Sequence, residues 1–215
     1  MILEKVPVVG ALETNVYFYV DDETNHGVII DSGAEATKLA EIIRKKEWII
    51  EKILITHGHF DHIGAVEQLH NELDIPYFIH KNGEKYLTDI SYNLSVFYEP
   101  YIVLKDANFI EDGDVLSIGK SSGKNENAQL QVIHTPGHTT DSVVFYDYKN
   151  GIAFSGDTIF KDSVGAVHFP GGDAHQLADS VFNRVFTLPE ETLLYSGHSD
   201  VTSVKAEKSR YYNYD

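Results

Sequence analysis

Thr56-His57-Gly58-His59-Phe60-Asp61-His62-Ile63-Gly64 packs three histidines and one aspartate into six residues. It follows Ile53-Leu54-Ile55, a short apolar run that reads as a buried strand. After it, Ile63, Val66 and Leu69 recur at helical spacing. The motif is therefore expected on a strand-to-helix turn, where side chains can converge on one point. Imidazole and carboxylate donors together suit zinc, iron or manganese. Calcium asks mainly for oxygen. A thiolate site is impossible, because the chain has no cysteine. Histidine pairs are common on surfaces, but four titratable groups crowded into one turn gain nothing from each other without a metal.

Three more places repeat the pattern of a strand followed by a small residue and a potential ligand. Val132-Ile133 leads into His134-Thr135-Pro136-Gly137-His138. Ile152-Ala153-Phe154 leads into Ser155-Gly156-Asp157-Thr158, and Leu193-Leu194-Tyr195 into Ser196-Gly197-His198-Ser199. Glycine before the ligand lets the backbone turn sharply and come close to a bound group.

The rest of the chain reads as short strands in two batches, with helices between and after them. Ile2–Val9 is an expected edge strand, because Pro7 limits its pairing. Asn15–Val20 and Val28–Ile30 are strands, the latter ending at Asp31-Ser32-Gly33. Ala36–Lys46 is an amphipathic helix whose solvated end carries Arg44-Lys45-Lys46. Tyr77–Ile79, Val115–Ile118, Leu130–Ile133, Val143–Tyr146, Ile152–Phe154 and Leu193–Tyr195 read as strands. Asn150-Gly151 signals a tight hairpin, and 119–127 a polar hairpin loop. Lys81–Leu87 predicts a short helix, and Gln176–Phe186 a helix capped by Asp173. The aromatic stretch from Asp89 to Tyr101 reads equally as a covering segment or as a wall of a substrate pocket. No linker or repeat is visible, so a single domain of layered α and β elements over 1–215 is expected.

Net charge is −16, from 33 acidic and 17 basic residues. That field repels phosphate backbones and argues against nucleic acid as a partner. No apolar run approaches the roughly 20 residues of a membrane span. The first residues lack the basic start and apolar core of a signal peptide. A cytoplasmic protein acting on a small molecule is expected; oligomeric state is not legible.

In order, His-x-His-x-Asp-His, Thr-Pro-Gly-His-Thr, Gly-Asp-Thr and Gly-His resemble the ligand set of the metallo-β-lactamase superfamily. The resemblance runs from Asn15 to about Asn213. Asp157-Thr158-Ile159-Phe160, Ser163-Val164-Gly165, Phe169-Pro170-Gly171-Gly172-Asp173 and Glu207-Lys208 look like the glyoxalase II branch, which hydrolyses thioesters such as S-D-lactoylglutathione. The resemblance implies an α/β fold: a four-layer αββα sandwich of two facing mixed sheets with helices outside. It also implies two divalent metal ions, zinc first, with iron or manganese fitting the same donors. One ion would be held by His57, His59 and His138, the other by Asp61, His62 and His198, with Asp157 bridging. Asp61 and Asp157 would serve catalysis, Asp61 also orienting a hydroxide nucleophile that bridges the ions. A thiolate leaves without a proton, so the absence of a general acid is no obstacle to thioester cleavage.

The chain departs from that branch in two loops. Relatives usually read Gly-Arg-Thr-Asp where this chain has Gly165-Ala166-Val167-His168. The arginine is gone, and His168 is either a substrate contact or part of an altered packing loop. The rim around His198 reads Ser196-Gly197-His198-Ser199-Asp200. The glutathione contacts of full-length glyoxalase II have only Lys205, Lys208, Arg210, Tyr211 and Tyr212 as thin counterparts. The rival readings are a persulfide dioxygenase using one iron, a lactonase, and a non-catalytic metal-binding protein. His26, His70 and His80 read as ordinary surface or half-buried residues, His134 as a neighbour of the site, and His175 as part of the first turn of the late helix.

Overall fold

Alternation along the strands sorts the core of this computed structural model, which describes residues 1–119 and 128–212, into three apolar layers. The first sheet contains β1 (Ile2–Val9), β2 (Glu13–Val20), β3 (His26–Ile30), β4 (Ile49–Leu54), β5 (Tyr77–His80) and β6 (Asn108–Ile110), in that order. On β2, Val16, Phe18 and Val20 point one way and Tyr17 and Tyr19 the other. The first set packs with Leu39, Ile43, Val66 and Leu69 of helices α1 (Ala36–Lys46) and α3 (Val66–Leu73). The second set faces the other sheet.

That sheet comprises β7 (Val115–Ile118), β8 (Ala128–His134), β9 (Val143–Asp147), β10 (Ile152–Gly156), β13 (Leu193–Ser196) and β14 (Thr202–Ser203), ordered β14-β13-β10-β9-β8-β7. A two-stranded ribbon, β11 (Ile159–Phe160) with β12 (Ser163–Val164), lies between β10 and β13 in sequence. Val143 and Phe145 of β9 meet Tyr17 and Tyr19 in the central layer. Val144 and Tyr146, on its other face, pack on Leu177 and Val181 of α5 (Ala174–Asn183) and on Val204, which opens α6 (Val204–Tyr212). The layers are therefore helix, sheet, sheet, helix, as the resemblance implied.

The expected strands and helices are present, with instructive shifts. Among the described residues, β1 is an edge strand, pairing only with β2. The helix after the histidine motif is two helices, α2 (Phe60–Ile63) and α3, parted at Gly64-Ala65. Lys81–Leu87 is a 3-10 turn (Lys81–Gly83) followed by α4 (Glu84–Thr88). The late helix starts earlier and ends sooner than Gln176–Phe186, with Val185–Thr187 forming a 3-10 turn. Asp173 caps it, its Oδ1 accepting from the backbone of His175 and Gln176 at 2.8 and 3.0 Å. The hairpin loop expected over 119–127 lies, from residue 120 onward, outside the described residues. No helix among the described residues is long and apolar enough to cross a membrane.

Topology decides where the site forms. β10 runs parallel to β13, and β9 is antiparallel to both β8 and β10. The C-terminal ends of β8, β10 and β13 therefore share one edge. Val143 N donates to Thr56 O at 2.9 Å, which ties the loop after β4 to that same edge. Four strand ends from two sheets thus deliver their following residues to one place.

Candidate metal centre

His57 and His59 come from the loop after β4, Asp61 and His62 from α2, His138 from the turn after β8, Asp157 from the end of β10 and His198 from the turn after β13. All but His198 are buried. Donor atoms of His57, His59 and His138 converge, as do those of Asp61, His62 and His198. His57 Nε2 and His138 Nε2 lie 3.2 and 3.0 Å from His59 Nδ1. In the other trio, His198 Nε2 lies 3.1 Å from Asp61 Oδ2 and 3.4 Å from His62 Nε2. Asp157 stands between them: Oδ1 is 3.5 Å from His62 Nε2, and Oδ2 is 3.6 Å from His138 Nε2 and 3.4 Å from His198 Nε2.

Whether these groups fit metal ions is decided by their outward nitrogens. His138 Nδ1 sits 2.7 Å from the carbonyl of Ala166, and His198 Nδ1 sits 2.7 Å from that of Glu13. A carbonyl only accepts, so both Nδ1 atoms carry hydrogen, and each Nε2 is left as the inward nitrogen that could take a cation in place of a proton. His62 Nδ1 faces Asp31 Oδ2 at 3.0 Å, an ion-pair contact. His57 Nδ1 faces Thr56 Oγ1 at 3.2 Å, while that hydroxyl donates to Asp31 Oδ2 at 2.7 Å. Four imidazole Nε2 atoms and two carboxylates therefore face one small volume. Asp157 Oδ1 is buried there with no hydrogen-bond partner. Such outer partners are how metal-binding histidines are oriented.

The electrostatics divide the cluster in two. Burial and the neighbouring rings push the pKa of His57 far down, and burial takes His59 to about 3 and lowers His138. This trio is neutral. In the second trio burial opposes charge on His62, but Asp157, Asp61 and Asp31 outweigh it and lift the ring to about 9. Burial likewise opposes charge on His198, and hydrogen bonds to Asp157 and Asp61 raise it to about 11. Asp157 resists burial through His62 and His198 and stays ionised far below the usual carboxylate range. The cluster is short of positive charge, and protons on His62 and His198 stand where a cation would be bound.

Two glycines permit this convergence. A Cβ on Gly197 would lie 2.4 Å from Asp157 Oδ1 and 2.6 Å from His62 Cε1. A Cβ on Gly33 would lie 1.7 Å from the Asp61 carbonyl. Neither position has room for any side chain.

The cluster floors a cavity of about 390 Å³. Leu94, Phe97 and Tyr98 line it, so the 89–101 segment does form a wall. His168 does not line it. That side chain is exposed and packs its ring against Phe169, centroids 4.1 Å apart, while Phe169 lines the cavity 5.7 Å from the His59 ring. His134 stays outside both trios, and His175 opens α5. His26 pairs with Glu51 at 2.7 Å and His70 Nδ1 meets Ile75 O at 2.7 Å. His80 departs from expectation: it is fully buried and stacks on His134 at 4.0 Å.

Sequence reasoning passed over two buried acids. Asp31 binds Thr56 and faces His62; its signal was its place at a strand end, as at the candidate ligands, with small residues Ser32 and Gly33 after it. Asp141 accepts from Gly58 N at 2.9 Å, between His57 and His59, and its Oδ1 has no partner. Burial pushes its pKa up to about 7. A folded-state value raised above the unfolded one means stability is lost as pH climbs from about 4 through 7. Asp141→Asn keeps an acceptor for Gly58 but cannot ionise. In chelator-treated protein its unfolding free energy, from denaturant melts, should therefore gain on wild type between pH 5 and pH 8, by an amount on the order of a few kcal/mol. A constant offset across that range would show that Asp141 is ionised throughout.

Comparison with known proteins agrees with the geometry. Residues 9–198 match the family model described as the metallo-beta-lactamase superfamily. A probable metallo-hydrolase of Bacillus subtilis, YqgX, is 34% identical over 94% of this chain and 92% of its own. A hydroxyacylglutathione hydrolase of Haemophilus influenzae, GloC, is 30% identical over 97% of this chain and 95% of its own. Among solved structures, the BLEG-1 B3 metallo-beta-lactamase superposes with a TM-score of 0.88 at 33% identity, covering 97% of both chains. TTHA1623 in a di-iron-bound form gives 0.78 at 33% identity, covering 94% of this chain and 96% of that one. With a family match that takes in every one of the converging residues, this chain belongs to the metallo-β-lactamase superfamily.

Proposed function

We propose that this protein is a two-metal hydrolase of small thioesters or related esters. The observation that carries the reading is the set of inward Nε2 atoms on His57, His62, His138 and His198, each ring with its other nitrogen turned to a fixed neighbour. His57, His59 and His138 would hold one ion, and Asp61, His62 and His198 the other. Asp157 would reach both. The nitrogen and oxygen donors suit zinc, and equally iron or manganese. Bound there, a pair of divalent ions supplies Lewis acidity, which brings water toward ionisation near neutral pH and polarises a carbonyl.

The chain's own residues do the rest. Asp31, Thr56 and the carbonyls of Glu13 and Ala166 lock the rings. Asp61 and Asp157, both ionised, orient the hydrogens of the attacking water. The apolar cavity walls limit bulk water around the reacting carbonyl. Cleavage of a thioester expels a thiolate, a leaving group that needs no acid. The similarity to a hydroxyacylglutathione hydrolase over nearly the whole chain supports the thioester class.

The test is metal stoichiometry by elemental analysis, alongside hydrolysis of S-D-lactoylglutathione and S-acetyl-N-acetylcysteamine. About two metals per chain with turnover of at least one thioester is the expected result. One iron per chain, no thioester turnover, and oxygen uptake with glutathione persulfide would overturn the reading in favour of a dioxygenase.

A further inference from the structure

We infer that the cavity over the metal centre selects thioesters whose acyl arm is apolar and whose thiol arm is uncharged, and that it rejects anionic glutathione conjugates. This rests on the hydrolase reading above. Opposite the metal-binding floor, the walls are Leu12, Leu94, Phe97, Tyr98, Phe160 and Phe169. Phe60 and Tyr98 stack at 4.5 Å with their planes 25° apart, giving one side of the cavity a flat aromatic shelf. At the mouth, Phe97 is 75% exposed, Leu12 47% and Tyr98 40%. Large apolar groups gathered in water around one opening mark a binding surface, because covering them is favourable.

Charge points the same way. Among the described residues, no lysine or arginine lines the cavity, and Glu13 is the only charged lining residue outside the metal-binding cluster. Ala166, a small apolar residue, also lines the cavity. Lys161, next in sequence to Phe160, directs its ammonium to Asp200 at 3.8 Å. Glutathione brings two carboxylates and one ammonium. Its carboxylates would meet Glu13, no lining cation, and the field of a chain with net charge −16. An apolar acyl arm meets aromatic walls and loses only water.

The chemistry balances without a further reactant. The water oxygen bonds to the carbonyl carbon, the C–S bond breaks with its electron pair on sulfur, and the products are a carboxylate, a proton and a thiol.

Two non-hydrolysable thioethers, S-hexyl-N-acetylcysteamine and S-hexylglutathione, separate the binding preference from catalysis. Calorimetric titration of the metal-loaded full chain should show the first binding at least about tenfold tighter. Ala166→Arg should narrow that ratio. In parallel, kcat/KM for S-acyl-N-acetylcysteamines should rise about fourfold per methylene from acetyl toward hexanoyl. Phe97→Ala, at an exposed position, should flatten the rise through KM. S-hexylglutathione binding as tightly as the neutral thioether, or a flat acyl series, would overturn the inference. The binding preference without turnover of any thioester would support the cavity's selectivity and overturn the hydrolase reading instead.

Discussion

Replacing Asp157 with alanine should abolish detectable hydrolysis and strip metal from the protein. Asp157 offers its two oxygens to both trios, Oδ1 toward His62 and Oδ2 toward His138 and His198. Removing it takes away a shared anionic donor and leaves His62 and His198 facing Asp61 alone across the cavity floor. The drop in kcat should reach at least about 10²–10³-fold, the scale for losing one electrostatic contact to a transition state. The metal content should fall below two per chain. Asp157→Asn refines the measurement, because it keeps the shape and loses the charge. If binding needs only an oxygen donor, the amide should retain metal; if it needs the anion, both variants lose it. The fold should survive both changes, since Asp157 accepts no backbone hydrogen bond that the chain depends on at the end of β10. A circular-dichroism melt run beside the elemental analysis checks this. Near-wild-type turnover with two metals in the alanine variant would remove Asp157 from the centre.

Much of that site is legible in the sequence for a physical reason. Each group of candidate ligands comes within a few residues of a strand end, and a strand of three or four apolar residues is readable from its composition. Once β4, β8, β10 and β13 are placed, the residues after them are candidates for a common edge. The alternation of β2 and β9 also foretells layering, since each strand offers apolar groups to both faces. Elements whose reason for being lies elsewhere in the chain are harder to read. β6 has three residues, two of them exposed, and forms because β5 offers a free edge to Phe109 and Ile110. The break between α2 and α3 arises where Gly64 crowds the carbonyl of Gly33, 2.3 Å from where a Cβ would sit, a long-range contact that helical periodicity does not report. The burial of His80 follows from stacking on His134, 54 residues away in sequence and in the other sheet. The cavity walls show both limits. The aromatic residues at 97 and 98 are conspicuous in sequence, but that they line the same space as Leu12 and Phe160 depends on the assembled sandwich.

Asp31→Asn should leave the protein folded and weaken its metal binding by about 10- to 100-fold, the range for losing a partner that orients a metal ligand. Asp31 ends β3 in a left-handed conformation, φ 57°, which aspartate tolerates better than most residues. Two hydrogen-bond donors and one ion-pairing ring nitrogen converge on its two oxygens. Thr56 N reaches Oδ1 at 2.8 Å, Thr56 Oγ1 reaches Oδ2 at 2.7 Å, and His62 Nδ1 lies 3.0 Å from Oδ2. An asparagine there has a single oxygen. If that oxygen serves Thr56 N, the amide NH₂ faces His62 Nδ1, and two donors cannot share a hydrogen bond. The imidazole must then move its proton to Nε2, the atom that should bind the ion. Asp31→Ala goes further. It leaves the buried backbone N–H of Thr56 unpaired as well, at a cost of about 1–3 kcal/mol for that group alone, and so should lower the melting temperature along with metal affinity. The pair of variants separates the two roles: asparagine costs metal with little stability, alanine costs both. Equal loss of stability in the two would make Asp31 a structural clamp, and undiminished metal affinity in asparagine would mean that His62 is oriented by something other than Asp31.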